Sequence, residues 1–227
     1  MRILISFLFV VAILGTSSKV TAQDDLGSWT ILSLGHKIND KWSLKLAPIV
    51  RHRDNLSTYA NTSIDFAITY NINKTFSFTL LERHFFIPDD ADRNFYFFDL
   101  KAKHKLRDKW TFQQNLRYHF GNNINDRIDP DFIRYQPKLI YAPTSKSKFF
   151  TMLDPFFRVT DPASLAGIRY EVGYDRSLAN GFGVNFQYRY QRGHGDTPIA
   201  TSHILLFILR KNFEKRKQLN KETNLGR

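Results

Sequence analysis

Two sets of side chains in this 227-residue sequence have types and spacings that could do chemistry: histidines near hydroxyls and carboxylates, and charges at alternate positions. Ser202 adjoins His203, and Asp196 lies near His194. A serine, a histidine and a carboxylate are the parts of an acyl-ester hydrolase. No Gly-x-Ser-x-Gly and no metal-spaced histidine pair accompanies them, so no catalytic residue is assigned and the hydrolase stands only as an alternative. Asp89, Asp90 and Asp92, and the cluster Asn122, Asn123, Asn125, Asp126, Asp129, carry oxygen ligands of the kind calcium takes. Neither has EF-hand spacing, so both read as solvated turns, with metal and cofactor both assigned as none. Arg51, Arg53, Arg83, Arg93, Arg127 and Arg192 are either phosphate contacts or solvated charge. Lys101, Lys103 and Lys105 form a column of like charge that suits an anion.

The elements that must position these groups are strands. From Trp110 to Phe120, Trp110, Phe112, Leu116, Tyr118 and Phe120 share one parity with a single polar member, Gln114. Thr111, Gln113, Asn115, Arg117 and His119 share the other. Strand side chains alternate between faces, so one face is apolar and one polar. Eleven such segments are predicted, at 28–38, 41–53, 62–72, 75–86, 95–106, 109–120, 132–142, 148–159, 166–177, 182–192 and 201–213. Leu81 and Phe85 break the parity of 75–86, which suggests a bulge. Segment 201–213 is apolar on both faces from Ile204 to Leu209.

The connections alternate in length. Short ones lie at Asn39-Asp40, Asn73-Lys74, Arg107-Asp108, 144–148 and Ala179-Asn180-Gly181; longer polar ones lie at 54–61, 87–94, 121–131, 160–165 and 193–200. Each short connection is followed by an aromatic: Trp42, Phe76, Trp110, Phe149 and Phe182. On a closed barrel these rings form a belt at one interface, with Lys41, Lys74, Lys109 and Lys148 beside it.

Composition bounds the setting. Arg2 followed by the apolar run Ile3–Leu14 and by Val20-Thr21-Ala22 reads as a cleaved signal peptide, residues 1–22. The run is too short to span a membrane as a helix. Removing Arg2 and Lys19 takes the formal charge from +12 to +10. Export turns that basic surplus toward anionic lipids and lipopolysaccharide rather than nucleic acid. No Cys is present, which excludes disulfides and thiolate chemistry. Residues 214–227 read as a basic periplasmic tail, leaving 23–213 for the barrel.

Alternation alone allows a barrel with its apolar face inside or outside. The bulky aromatics on nearly every strand and strand lengths of about 10–12 residues favour an apolar exterior, the membrane-spanning arrangement. The interior then receives a charge network: Lys45, Arg51, Asp65, Asp99, Lys101, Lys103, Lys105, Arg117, Arg134, Lys138, Asp154, Arg158, Arg169, Glu171, Asp175 and Arg189. In so narrow a barrel these charges would fill the lumen as salt bridges or line an anion-preferring passage.

The stretches Gly27-Ser28-Trp29-Thr30, Asp40-Lys41-Trp42-Ser43-Leu44 and Asp108-Lys109-Trp110 resemble the exported bacterial barrels catalogued as domain of unknown function 2490. The resemblance would cover about residues 26–213 and rests on hairpin style. It implies an all-β, antiparallel, up-and-down outer-membrane barrel of 10–12 strands and transfers no functional residue. Bacterial single-chain barrels normally have an even number of strands, so the eleven segments leave ten, eleven or twelve open. The role expected is a structural or accessory subunit of an envelope assembly, not an enzyme; its partners would be membrane lipids, lipopolysaccharide and an envelope protein.

Overall fold

The computed structural model describes residues 25–88, 92–122, 131–159, 164–194 and 201–213. The leader, Asp89, Asp90, the loop cluster from Asn123 to Asp129, Asp196 and the basic tail lie outside the described residues.

The chain is a meander of β1 (Asp25–Lys37), β2 (Trp42–Arg53), β3 (Thr58–Asn71), β4 (Phe76–Phe86), β5 (Arg93–Arg107), β6 (Trp110–Asn122), β7 (Phe132–Tyr135), β8 (Lys138–Tyr141), β9 (Ser147–Arg158), β10 (Ser164–Ser177), β11 (Phe182–Gly193) and β12 (Ser202–Phe213). β7 and β8 both pair with β6 on one side and β9 on the other, so they are two halves of one stave. Pro137 breaks it, because proline has no N–H to give the ladder. Gln136 keeps the ladder going at the break through paired backbone bonds with Asn115.

The wall therefore has eleven staves, one for each predicted segment and within the expected range of ten to twelve. An odd meander brings its first and last strands round in the same direction. β1 and β12 accordingly close the cylinder in parallel, from Asp25↔Ser202 to His36↔Phe213. Every other pairing is antiparallel.

Local chemistry explains the short turns. Asn39 Oδ1 accepts the N–H groups of Lys41 and Trp42 at 2.8 and 2.9 Å, and Asn73 Oδ1 does the same for Thr75 and Phe76 at 2.8 Å each. Thr144 Oγ1 repeats the device on Lys146 and Ser147. Such side-chain turns place Trp42 and Phe76 at the first strand position and Phe149 at the third. In the first of them the Lys37 ammonium holds the Asp40 carboxyl below its usual range.

Two expectations change. Residues 54–61 are not a long loop. β3 begins at Thr58, and Asp54, Asn55 and Leu56 turn the chain in consecutive left-handed conformations (φ 53, 55 and 68°). β4 carries no bulge: its registers with β3 and β5 run unbroken, and Leu81 and Phe85 point inward. Leu81 packs there on Ala67 and Phe97. Register shifts fall instead at Arg51/His52, Lys105/Arg107 and Leu165/Gly167.

Polarity is inverted relative to a soluble barrel. Leu46, Phe66, Leu100, Leu116, Phe157, Phe186 and Leu205 are exposed on the outer wall. Asp65, Asp99, Arg134, Asp154, Glu171 and Arg189 are buried inside it. β12 shows why one segment is apolar on both faces, with Ile204 and Leu206 inward and Leu205 and Phe207 outward.

The β10–β11 turn offers a direct check. Gly181 has φ +73°, and a Cβ there would lie 2.4 Å from the Asn212 carbonyl oxygen. Gly181→Ala should lower unfolding stability by about 1–3 kcal/mol. Urea denaturation of the detergent-solubilised barrel measures this, and an unchanged midpoint would contradict the assigned turn.

Candidate functional site

Inward positions on neighbouring strands meet side by side, and the sequence uses this three times in one way. Asp65 and Arg83, Asp99 and Arg117, and Glu171 and Arg189 are direct cross-strand partners. Each pair is eighteen residues apart across a short turn. Arg83 reaches Asp65 with two bonds of 2.5 and 2.8 Å, and Arg117 reaches Asp99 with two of 2.6 Å. Arg189 Nε donates to Glu171 at 2.7 Å. Arg134 holds the fully buried Asp154 through two bonds, one of 3.0 Å and one from Nη2 to Oδ2. Arg169 approaches the same carboxylate at 4.0 Å. Arg210 bonds Asp175 at 2.9 Å, beside an amide bond from Asn185.

Aromatic rings join these pairs into a girdle. Trp29 carries Arg51 and Arg189, with guanidinium carbons 4.6 and 4.5 Å from its ring centroid. Phe85 takes Arg51 and Arg83, Phe97 takes Arg83 and Arg117, and Phe156 takes Arg134 and Arg169. Arginine suits this place because its planar, weakly hydrated cation pairs bidentately along its edge while stacking on a ring. Arg51 is the odd member. It donates to Asn61 Oδ1 and Ser63 Oγ at 2.8 and 2.9 Å, and its Nη2 has no partner.

The expected lumen residues separate by position along the barrel. Asp65, Asp99, Arg117, Arg134, Arg169, Glu171 and Arg189 come together in the girdle, with Asp175 joined to Arg210 further toward the short turns. Lys45, Lys101 and Lys138 face inward, half-buried, toward the short-turn end. Lys103 and Lys105 are exposed near that mouth, Lys105 lying 3.7 Å from Asp108. Arg158 is half-buried, with its Nε unpartnered. Arg51 and Arg83 are interior groups and cannot serve as external phosphate contacts; Arg53 is exposed beside Asp54. Arg192 is also exposed, and Arg127 lies outside the described residues.

The girdle members that sequence reading missed are Trp29, Arg83, Phe85, Phe97 and Phe156. The signal that would have found Arg83 is the repeated acid-to-arginine interval of eighteen.

The five belt aromatics sit on the outer wall, Trp42, Phe76, Trp110 and Phe182 as the first residue of their strands and Phe149 as the third. Trp42 packs on Tyr70 (centroids 4.7 Å), Phe76 on His104 (6.5 Å), Trp110 on Tyr141 (4.8 Å) and Phe149 on Tyr174 (5.0 Å). Phe182 takes the Lys211 ammonium at 4.1 Å. Gln114, the polar member of the outer face of β6, accepts a bond from the Tyr135 hydroxyl.

The histidines scatter. His119 points inward, stacked on Phe97 and tilted against Phe132. His84 meets Asn94 and Asp92. Ser202 and His203 are successive residues of one strand, so their side chains leave opposite faces. His203 Nδ1 instead meets the Tyr188 hydroxyl at 2.6 Å.

Removing one partner of a buried pair leaves the other charge without compensation, which costs about 3–5 kcal/mol. Asp99→Asn should destabilise the barrel by that amount. Adding Arg117→Met should recover most of the loss, because the stranded cation is then gone. A double-mutant cycle by chemical denaturation reads both, and additive losses would contradict the pairing.

No curated protein matches this chain. A family profile does, over residues 26–201, and its description is "Protein of unknown function (DUF2490)". With that match covering most of the sequence and a closed barrel built from the same segments, the chain belongs to the DUF2490 family.

Proposed function

We propose that this chain spans the bacterial outer membrane and serves as a non-catalytic structural or accessory subunit of an envelope assembly, with its lumen filled rather than conducting. The observation that carries the reading is the inverted polarity: an outer wall of exposed Phe, Leu, Ile and Tyr around an interior of arginine–carboxylate pairs. In water that wall would be a large unprotected apolar surface; against acyl chains it is matched to its solvent.

Dimensions support it. From Trp42 to His52 is ten residue steps. At about 3.3 Å per residue and a tilt near 40°, that rises about 25 Å, the height of the apolar band of outer-membrane barrels. Rings also gather near the opposite end, where Tyr59, Tyr96, Tyr118, Phe120 and Tyr190 lie on the outer wall. The Tyr118 hydroxyl bonds Asp131 at 2.5 Å, as a ring with one dry and one wet end would. Lipid tails and headgroups are then the first partners. Exposed Arg53 and Arg192 lie at the end where lipopolysaccharide phosphates would be.

With the short turns in the periplasm, the parallel seam puts Asp25 at the cell surface and Phe213 in the periplasm. The absence of cysteine makes this topology simple to test. Ser57→Cys, in the β2–β3 turn, should react with an impermeant maleimide on intact cells. Lys146→Cys, in a short turn, should react only after the envelope is opened. Recovery of the chain in the soluble fraction, or equal labelling of both sites on intact cells, would refute the proposal. Purified barrel should give no conductance steps in planar bilayers; steps that favour anions would replace the filled lumen with a passage. Lipid A acyl patterns should be the same with and without the protein, and a changed pattern would restore the hydrolase.

A further inference from the structure

The half of the lumen toward the short turns is short of negative charge. The carboxylates of Asp65, Asp99, Asp154, Glu171 and Asp175 are each already held by an arginine. Lys45, Lys101 and Lys138 point into the same interior, and among the described residues none of the three has a hydrogen bond or salt bridge to a side-chain partner. Lys101 lies within electrostatic range of both Lys45 and Lys138. The carboxylates within range of these lysines belong to arginine pairs that are neutral as units.

One of the three is seated with some care. The Lys138 ammonium stands 3.4 Å from the centroid of Phe150. Phe150 packs against Gly173, where a Cβ would come within 2.4 Å of its Cζ. The glycine thus leaves room for the ring that carries the cation. The cylinder is wide enough for the rest: eleven strands at about 4.8 Å spacing and 40° tilt give a backbone diameter of roughly 22 Å. Lysines from β2, β5 and β8 reach in from well-separated points of that circle. Exposed Lys103 and Lys105 lead from the mouth toward Lys101, a gradient that concentrates anions.

We propose that the short-turn half of the barrel is a blind vestibule that binds a small multivalent oxyanion between Lys45, Lys101 and Lys138, with the arginine girdle as its floor. The site does not depend on whether the outer wall meets lipid. A bound oxyanion supplies the counter-charge that the arginine-paired carboxylates do not. Three ammonium groups match a compact trianionic or dianionic group better than a single chloride.

The test uses the full barrel in zwitterionic detergent, with inorganic phosphate replacing chloride at constant ionic strength. Thermal unfolding should show a saturable rise of roughly 5–10 °C at high phosphate. The variant Lys101→Gln/Lys138→Gln should lose that rise, while Lys109→Gln, on an exposed turn, should keep it. The double variant should also be more stable than the natural chain when chloride is the sole anion, because mutual repulsion has been removed. Gel mobility of unheated samples checks that each variant is folded. A rise that does not saturate, an equal rise in the double variant, or a double variant less stable in chloride would overturn the proposal. None of these outcomes bears on membrane residence, which fractionation and labelling decide.

Discussion

A sheet that turns its apolar face outward cannot leave an edge unpaired. Each free strand edge presents a row of N–H and C=O groups, and in the lipid setting proposed above those groups would have no water to satisfy them. Closure is therefore the constraint from which the rest of this barrel follows. It makes β1 and β12 neighbours, although an odd meander forces them to pair in parallel. It also confines every alternate side chain to one enclosed volume, where charge must be balanced locally.

The balance is struck by geometry more than by energy. A buried ion pair gains roughly what desolvation costs it, so the girdle is a weak source of net stability. What it does supply is registration. An aspartate or glutamate on one strand meets an arginine directly opposite, and a one-residue slip would send that arginine to the apolar exterior. The stacked rings of Trp29, Phe85, Phe97 and Phe156 fill the space between the pairs and hold the guanidinium planes.

Much of this was legible in the sequence. Period-two alternation around Trp110–Phe120, and the turn residues Asn39, Asn73 and Asn180, place nearly every strand within a few residues of its observed bounds. The single stave 132–142 was read correctly even though Pro137 splits it, because both halves keep the same parity. The strand count stayed open between ten and twelve because an even-number rule drawn from other barrels pulled against the turn at Asn39-Asp40, which plainly joins β1 to β2. Arg83 was misassigned for a different reason. Its position near a strand end suggested solvent, and only the register with Asp65 shows it to be interior. Leu81 and Phe85 were read as an irregularity because an apolar residue on a polar face looks like a slip; the interior has room for rings among its charges.

The seam has a consequence for how the molecule is made. Asp25 meets Ser202, so the pairing that shuts the cylinder joins residues 177 positions apart. Contacts of such separation bear the largest loop-closure entropy and slow a fold the most. Every antiparallel hairpin can zip from its own turn, but the last ladder has no turn to start from. By that argument the seam is the costliest ladder of the barrel to form, and its closure is the step expected to be slowest.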